Sequence, residues 1–210
     1  MIKKEFLEQR YLKEKKSMQE IAQELKCSHT QVSYWMEKHN ILRRSISEGV
    51  YIKNNPNGDP FIFKKPATVE DGILYGMGLG LYWGEGTKMN KHSVRLGNTD
   101  PELVKTFIKF LEKFFTIRCE DLRFSIQIFS DMNPEQVLKF WVKELGVAPE
   151  QFSKTTISIS GSMGNYRKKS KHGVLMLYYH NKKMRDALVG LLPESPNQSW
   201  SYLELKKGQE

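Results

Sequence analysis

The sequence predicts an α+β fold: an all-α unit comes first, and a larger domain with helices packed on one face of an antiparallel sheet follows. Three observations predict this fold. Two helix-capping signatures lie close together before residue 42, the glycine-rich segment Gly72–Gly86 has the apolar spacing of a helix, and strand and helix patterns then alternate as far as Leu192. We therefore expect a first domain at residues 1–42, a basic flexible linker at 43–66 and a second domain at 67–210.

The charge of the chain indicates an anionic partner. Lys and Arg number 33 against 24 Asp and Glu, a formal net charge of +9 over 210 residues. No apolar stretch reaches the ~18 to 20 residues that span a bilayer, and the first residues lack the apolar core of a signal peptide. We therefore expect a cytoplasmic protein without a membrane partner. The two cysteines, Cys27 and Cys119, stand far apart, which argues against a disulfide framework and a zinc site.

Three short helices are predicted in the first domain. Residues 3–15 repeat apolar groups about once per helical turn, at Phe6, Leu7, Tyr11 and Leu12. Ser17 and Glu20 form a capping box, and Ser28 repeats the capping signature after a break at Lys26 and Cys27. The apolar stripes of the second and third helices are Ile21, Ala22 and Leu25, and Val32, Trp35 and Met36.

The segment from Ile21 to Trp35 resembles the helix-turn-helix of DNA-binding regulators and resolvases, with Lys26 where that family usually has Gly. The resemblance implies that polar side chains of the third helix meet the major groove: His29, Thr30, Ser33 and Tyr34. Positions 1–66 hold 13 basic and 8 acidic residues, which favours DNA binding over the alternative, a three-helix packing module with a solvated polar face.

The helical periodicity ends in residues 43–66, where Asn54–Pro60 is rich in turn-forming residues. This pattern predicts a linker. Arg43 and Arg44 directly follow the third helix and are candidates for contacts with the phosphate backbone, although a basic linker is just as often only solvated.

A glycine-rich helix is predicted from Gly72 to Gly86. Each interior glycine costs about 0.8 to 1 kcal/mol relative to alanine, so packing must offset the loss. One set recurs every four residues and shares a face, where a second helix can approach closely: Gly72, Gly76, Gly80 and Gly84. Glu85 lies at the C-terminal end, where the helix dipole disfavours an anion, so a compensating cation is expected there.

The segment Gly78–Gly86 is similar to the motif of the LAGLIDADG proteins, the homing endonucleases and their relatives. The matching letters are Gly80, Leu81, the small Gly84, the acidic Glu85 and the final Gly86. In such enzymes two motif helices pack together, and the acidic residue at each helix foot binds a divalent metal above the scissile phosphates. The resemblance implies Glu85 as the metal ligand, Mg²⁺ (or Mn²⁺) as the cofactor, and a homodimer whose interface is the four-residue glycine repeat.

The remaining segments alternate between strand and helix patterns in the order that the LAGLIDADG family requires. Strands are expected at residues 93–98, 122–129, 155–160 and 173–179, and helices at 100–115, 133–146 and 181–192. Within the second strand, Leu122, Phe124, Ile126 and Ile128 alternate with Arg123, Ser125 and Gln127. The domain is therefore predicted to be an α/β saddle with helices on one sheet face.

The sheet face turned away from the helices is the predicted DNA surface, since polar residues project there from alternating positions: Arg95, Arg123, Gln127, Thr156 and Ser158. Between Glu150 and Asp186 the chain carries eight basic residues and no acidic one: Lys154, Arg167, Lys168, Lys169, Lys171, Lys182, Lys183 and Arg185. Such a block neutralises phosphates, whereas the alternative is a loop kept soluble by charge. The resemblance also implies a basic residue near the scissile phosphate; Lys154 is the candidate, with Arg123 and Gln127 close behind.

These observations favour a site-specific double-stranded DNA endonuclease of homing type. Two Glu85 carboxylates, one from each subunit, would use Mg²⁺ to activate water and stabilise the leaving oxygen. The alternative is a noncatalytic transcription regulator, since some bacterial regulators combine a LAGLIDADG-like domain with a helix-turn-helix; an RNA-binding or splicing role is a third possibility. The sequence contains no P-loop, no G-x-S-x-G and no His-Cys cluster that would indicate another chemistry.

Overall fold

A computed structural model of the chain describes residues 1–159 and 170–193. The chain divides into two compact units, Met1–Pro60 and Phe61–Glu210. Within the described residues the protein is α+β, with eight α-helices and a four-stranded mixed sheet. The helices are α1 Lys4–Leu7, α2 Met18–Glu24, α3 His29–Lys38, α4 Ile46–Asn54, α5 Val69–Glu85, α6 Pro101–Phe115, α7 Pro134–Leu145 and α8 Lys182–Gly190. The strands are β1 Val94–Asn98, β2 Arg123–Phe129, β3 Thr156–Ser158 and β4 Val174–Tyr179.

None of the helices in these described ranges combines the length and apolar character needed to cross a membrane.

The first unit begins with α1, which continues as a π-helical segment over Glu8–Lys13. Leu7 and Tyr11 are buried, as the spacing predicted, whereas Leu12 is exposed. Leu12 follows Tyr11 directly in the chain and so projects from a neighbouring side of the helix, outside the buried face.

A tight turn joins α2 to α3. Both bonds of the predicted Ser17–Glu20 capping box are present, and the Ser28 hydroxyl accepts a hydrogen bond from the Gln31 N–H at 3.1 Å. At the end of α2, the Cys27 N–H donates to the Ala22 carbonyl at 2.9 Å, and Lys26 has a φ of 51°. Lys26 therefore adopts the left-handed conformation that glycine usually supplies at such a helix end.

The segment predicted as a flexible linker, residues 43–66, contains ordered structure. Ser45 caps α4, since its hydroxyl accepts from the Glu48 N–H at 3.2 Å. Farther along, the Lys64 N–H donates to the Phe114 carbonyl at 2.8 Å, and Phe61 and Phe63 pack against the core of the second unit. The second unit therefore begins at Phe61 rather than at residue 67. Phe63 is held there by Phe115 of α6, with ring centroids 5.3 Å apart.

The sheet has the strand order β1-β4-β2-β3. The pairs β1–β4 and β4–β2 are antiparallel, but β2 and β3 are parallel. The prediction of an antiparallel sheet is therefore wrong at the β3 edge. The helix α7 carries the chain back from the end of β2 to its beginning, so β3 runs in the same direction as β2.

The core of the second unit lies between one sheet face and the helices. The inward side chains of β1, β2 and β4 are buried, and α6 contributes a row of buried aromatic rings, Phe107, Phe110, Phe114 and Phe115. The α5 backbone lies close to this core at Gly78, where an added Cβ would lie 2.1 Å from Cγ of Phe110.

Candidate functional site

The outer face of α5 is apolar and uncovered in the described chain. Apart from its chain neighbours and the backbone of the helix itself, no atom lies within 4 Å of the position where a Cβ would stand at any of the four repeating glycines, Gly72, Gly76, Gly80 and Gly84. Large apolar side chains on the same side of α5 are more than half exposed: Val69, Ile73, Met77 and Trp83. We call this set the outer face of α5. It lies opposite Gly78, which makes the close contact inside the chain.

Glu85 ends α5 and is exposed. Among the described residues its carboxylate has no hydrogen-bond or ion-pair partner. The next residue, Gly86, turns the chain into an antiparallel bridge with Leu96, and the Thr87 N–H donates to the Arg95 carbonyl at 3.0 Å. A side chain at Gly86 would meet the Tyr82 carbonyl oxygen at 2.3 Å, so only glycine fits this turn. The foot of α5, residues 83–86, is thereby fixed to the β1 edge of the sheet.

A cation stands at the foot of α5. The Lys88 ammonium donates to the carbonyl oxygen of Trp83 at 2.5 Å, in the last turn of the helix. This contact supplies a positive charge where the helix dipole is negative. The backbone of Lys88 is held in turn by Arg185, whose guanidinium donates to the Lys88 carbonyl and to Asp186 Oδ1, the latter at 2.9 Å.

Arg185 is therefore an internal residue. We predicted it within the phosphate-binding block, but its side chain is mostly buried and paired with Asp186. Its Nε and the Tyr82 hydroxyl are both buried without a partner in the described part of the chain. Burial raises the pKa of the Tyr82 hydroxyl, so this group stays neutral beside the foot of α5.

The two other candidate catalytic residues lie far from Glu85 in one chain. Gln127 is on β2 and donates to the Ser158 hydroxyl at 3.1 Å, and Lys154 is exposed just before β3. Neighbouring strands in a sheet are about 4.8 Å apart. From Gly86, which bridges to β1, the sheet continues through β1 and β4 to β2 and then β3. Gly86 is therefore three strand spacings from β2, roughly 14 Å, and four from β3, roughly 19 Å. The structure does not bring Gln127 and Lys154 to the same place as Glu85.

The sheet face opposite the helices brings together the polar residues predicted for it. We call it the open sheet face: Arg95 and Gly97 on β1, Arg123, Ser125 and Gln127 on β2, Thr156 and Ser158 on β3, and Met176 and Tyr178 on β4. Arg95 pairs across the strands with Tyr178, and Tyr178 pairs with Arg123. Sequence reasoning missed Tyr178, although the alternation of Leu175, Leu177 and Tyr179 inward places it on the outer face.

On the first unit, α3 presents most of the residues predicted to meet DNA. His29, Thr30 and Tyr34 are exposed and Ser33 is half-buried. The Lys38 ammonium lies 3.4 Å from the Tyr34 hydroxyl and adds a positive charge to this face.

The two arginines after α3 have different surroundings. Arg43 is exposed, with its guanidinium 3.8 Å from the Glu37 carboxylate. Arg44 is not available as predicted, because its guanidinium donates to the Lys15 and Lys16 carbonyls at 3.0 Å and to that of Tyr11. It also stacks 3.9 Å from the centroid of the Tyr11 ring. Arg44 therefore closes the end of the first helix, and these contacts engage its guanidinium within the chain.

The rest of the basic block has mixed surroundings. Lys171 is exposed, and Lys182 forms an ion pair with Asp186 at 2.5 Å. Arg167, Lys168 and Lys169 lie outside the described residues. Across residues 1–159 and 170–193, no three His, Cys, Asp or Glu side chains stand close enough to hold a metal ion.

Comparison of the chain with protein-family models, with curated proteins and with solved structures finds no match. Its function is therefore inferred from its own residues.

Proposed function

We propose that the chain binds double-stranded DNA and acts as a homodimeric, metal-dependent endonuclease of homing type. The observation that carries this proposal is the foot of α5. Glu85 is exposed and unpaired among the described residues, and it ends a helix whose outer face is apolar, rich in glycine and uncovered. The similarity of residues 78–86 to the LAGLIDADG motif gives the same assignment.

A second copy of the chain is the proposed cover for the outer face of α5. Four glycines at intervals of four residues allow two helix backbones to approach closely, and Val69, Ile73 and Met77 supply the apolar area. In a two-fold dimer the same face meets itself. The two helix feet then lie near the axis, with Glu85 beside the partner subunit's Glu85.

This pair of carboxylates fits a divalent cation, because Mg²⁺ takes carboxylate oxygens and keeps several of its waters. When bound, Mg²⁺ supplies an activated water and stabilises the charge of the leaving oxygen. Glu85 holds the ion in this proposal. Lys88 takes the role first assigned to Lys154, because its ammonium is fixed in the last turn before Glu85 and can neutralise a phosphate there.

DNA binding is assigned to two surfaces. The open sheet face carries Arg95, Arg123 and Gln127 without an acidic neighbour on the same strands. The left-handed Lys26 turn and the capped α3 support a helix-turn-helix, in which His29, Thr30 and Tyr34 face the groove. Both surfaces neutralise phosphates, so affinity is expected to fall steeply as salt rises.

A noncatalytic, sequence-specific transcription regulator is the second candidate. One observation favours it: the capped α3 presents exposed His29, Thr30 and Tyr34, a DNA-binding surface that needs no metal. DNA binding through α3 and the open sheet face would suffice for this role.

Selection and cleavage of a randomised duplex library by the purified full chain, with and without Mg²⁺, tests the proposal. Metal-dependent cuts at a partly palindromic site support the endonuclease. Selective, salt-sensitive binding without cuts supports the regulator. Absence of any selective duplex binding contradicts both, and binding to structured RNA measured in parallel then tests the third possibility.

A further inference from the structure

Arg95 is held in place by a chain of hydrogen bonds on the open sheet face. Its Nε donates to the Ser93 hydroxyl at 2.9 Å. Ser93 is fully buried, and its hydroxyl donates in turn to Asn90 Oδ1 at 3.0 Å. Because Ser93 and Asn90 are both engaged in these hydrogen bonds, Nε of Arg95 has one preferred position.

Tyr178 fixes the same guanidinium from the side. Cζ of Arg95 lies 5.3 Å from the centroid of the Tyr178 ring, within the range of a cation–π contact. The Tyr178 hydroxyl is 2.9 Å from that of Ser125 on the next strand, and its ring stacks on His180 with centroids 5.8 Å apart. The ring that supports Arg95 is therefore itself anchored on both sides.

The outer end of Arg95 is free among the described residues. Neither of its Nη atoms has a hydrogen-bond or ion-pair partner there. Arg123, at the other end of the same cross-strand row, is different: its Nη1 donates to the Glu120 and Leu122 carbonyls at 2.8 and 2.7 Å. Arg95 thus presents two parallel N–H groups on a fixed support, whereas Arg123 is folded back on its own strand.

We propose that Arg95 reads one guanine of each half-site in the major groove and that Tyr178 positions it. This inference rests on the proposed DNA binding by the open sheet face, and holds for the endonuclease and the regulator alike. A guanidinium fork matches the O6 and N7 acceptors of guanine, a pattern that no other base pair shows in the same place. A contact with phosphate needs charge but no fixed orientation, and the support under Arg95 supplies orientation.

The test is selection of binding sites from a randomised duplex library by the wild type, Arg95→Lys and the matched control Arg123→Lys. We expect the wild type to select a guanine at one position of each half-site. Arg95→Lys loses that preference alone, about tenfold in relative affinity, while the other selected positions persist. Arg123→Lys keeps the guanine preference, whatever its effect on the affinity for all sequences, because the Arg123 guanidinium is folded back on backbone carbonyls. If Arg95→Lys keeps the guanine preference, whether or not it weakens binding to every sequence, Arg95 does not read the base and the inference is wrong.

A second measurement keeps the test independent of folding. In a selected site, 7-deazaguanine at the read position removes the N7 acceptor, and we expect it to weaken binding of the wild type but not of Arg95→Lys. Tyr178→Leu should relax the guanine preference without changing the melting temperature of the second unit. Tyr178→Phe keeps the aromatic ring and should keep most of the guanine preference. If the wild type selects no duplex, the proposed function fails. If it selects a duplex but 7-deazaguanine lowers the affinity of the wild type and of Arg95→Lys equally, only this inference fails.

Discussion

Gly78 of α5 lies directly against the Phe110 ring of α6. A Cβ at Gly78 would lie 2.1 Å from Cγ of the Phe110 ring, which is fully buried. Two residues earlier on the helix, Gly76 has no neighbour within 4 Å. Glycine therefore has two distinct uses on α5: one face is adapted to the core of the chain, and the other is left open.

Gly78→Ala is expected to lower the free energy of unfolding by about 1 to 3 kcal/mol, the usual cost of overpacking a core. Gly76→Ala is the matched control, and should leave monomer stability unchanged or raise it by up to about 1 kcal/mol through helix propensity. Urea unfolding of the two variants beside the wild type measures both effects. Equal stability of the Gly78→Ala variant and the wild type would show that α5 does not pack as described.

Gly80→Leu is expected to raise the dimer dissociation constant at least about tenfold, since the leucine stands where the second α5 would approach. Gly49→Leu is its control, because Gly49 on α4 also has open space around it. Sedimentation equilibrium over a range of protein concentrations gives both constants. A dimer that Gly80→Leu leaves intact would place the interface on another surface.

Lys26→Gly should stabilise the first unit by about 1 kcal/mol, because the left-handed conformation is costly for a residue with a Cβ. Gln23→Gly, three residues earlier inside α2, should have the opposite effect of similar size. Thermal unfolding followed by far-ultraviolet circular dichroism distinguishes the two. Destabilisation by Lys26→Gly would mean that its side chain contributes more than its backbone conformation costs.

The carboxylate of Asp71 pins the beginning of α5. It accepts hydrogen bonds from the Lys113 ammonium and from the Ala67 N–H, and these contacts, Lys113 first, lower its pKa. An acid with a lowered folded-state pKa stabilises the fold above its unfolded pKa, near about 3.9, and loses this contribution as the pH falls through the folded value. Asp71→Asn should therefore lower stability at neutral pH, with a difference from wild type that shrinks below about pH 4. A difference independent of pH would contradict the ion pair.

The strong periodic patterns in the sequence predicted most of the fold. The helix expected at 100–115 is α6, Pro101–Phe115, and the strand expected at 122–129 is β2, Arg123–Phe129. In both segments, apolar residues recur with the period of a helix or of a strand over the whole length of the element, so that only one assignment fits. The direction of β3 was not predictable in this way, because a strand of three residues has no pattern that specifies which neighbouring strand it pairs with, or in which direction.

The candidate site was predictable in part. Glu85 and the open sheet face follow from a motif and from alternation along the strands. The internal use of Arg44 and Arg185 could not be predicted, because it depends on backbone carbonyls that fold against them from 28 to 97 residues away. Lys88 belongs to no recognisable motif. Its role becomes apparent only from the structure, in which its ammonium donates to the Trp83 carbonyl at the end of α5.

The most direct test of the proposed function is the rate of cleavage of a selected site in Mg²⁺ by Glu85→Gln beside Glu70→Gln. Both residues are exposed glutamates of α5, one at its foot and one at its beginning. We expect Glu85→Gln to cleave at least roughly 100-fold more slowly while binding the site as tightly as the wild type, and Glu70→Gln to cleave at the wild-type rate. Cleavage by Glu85→Gln at the wild-type rate would contradict it.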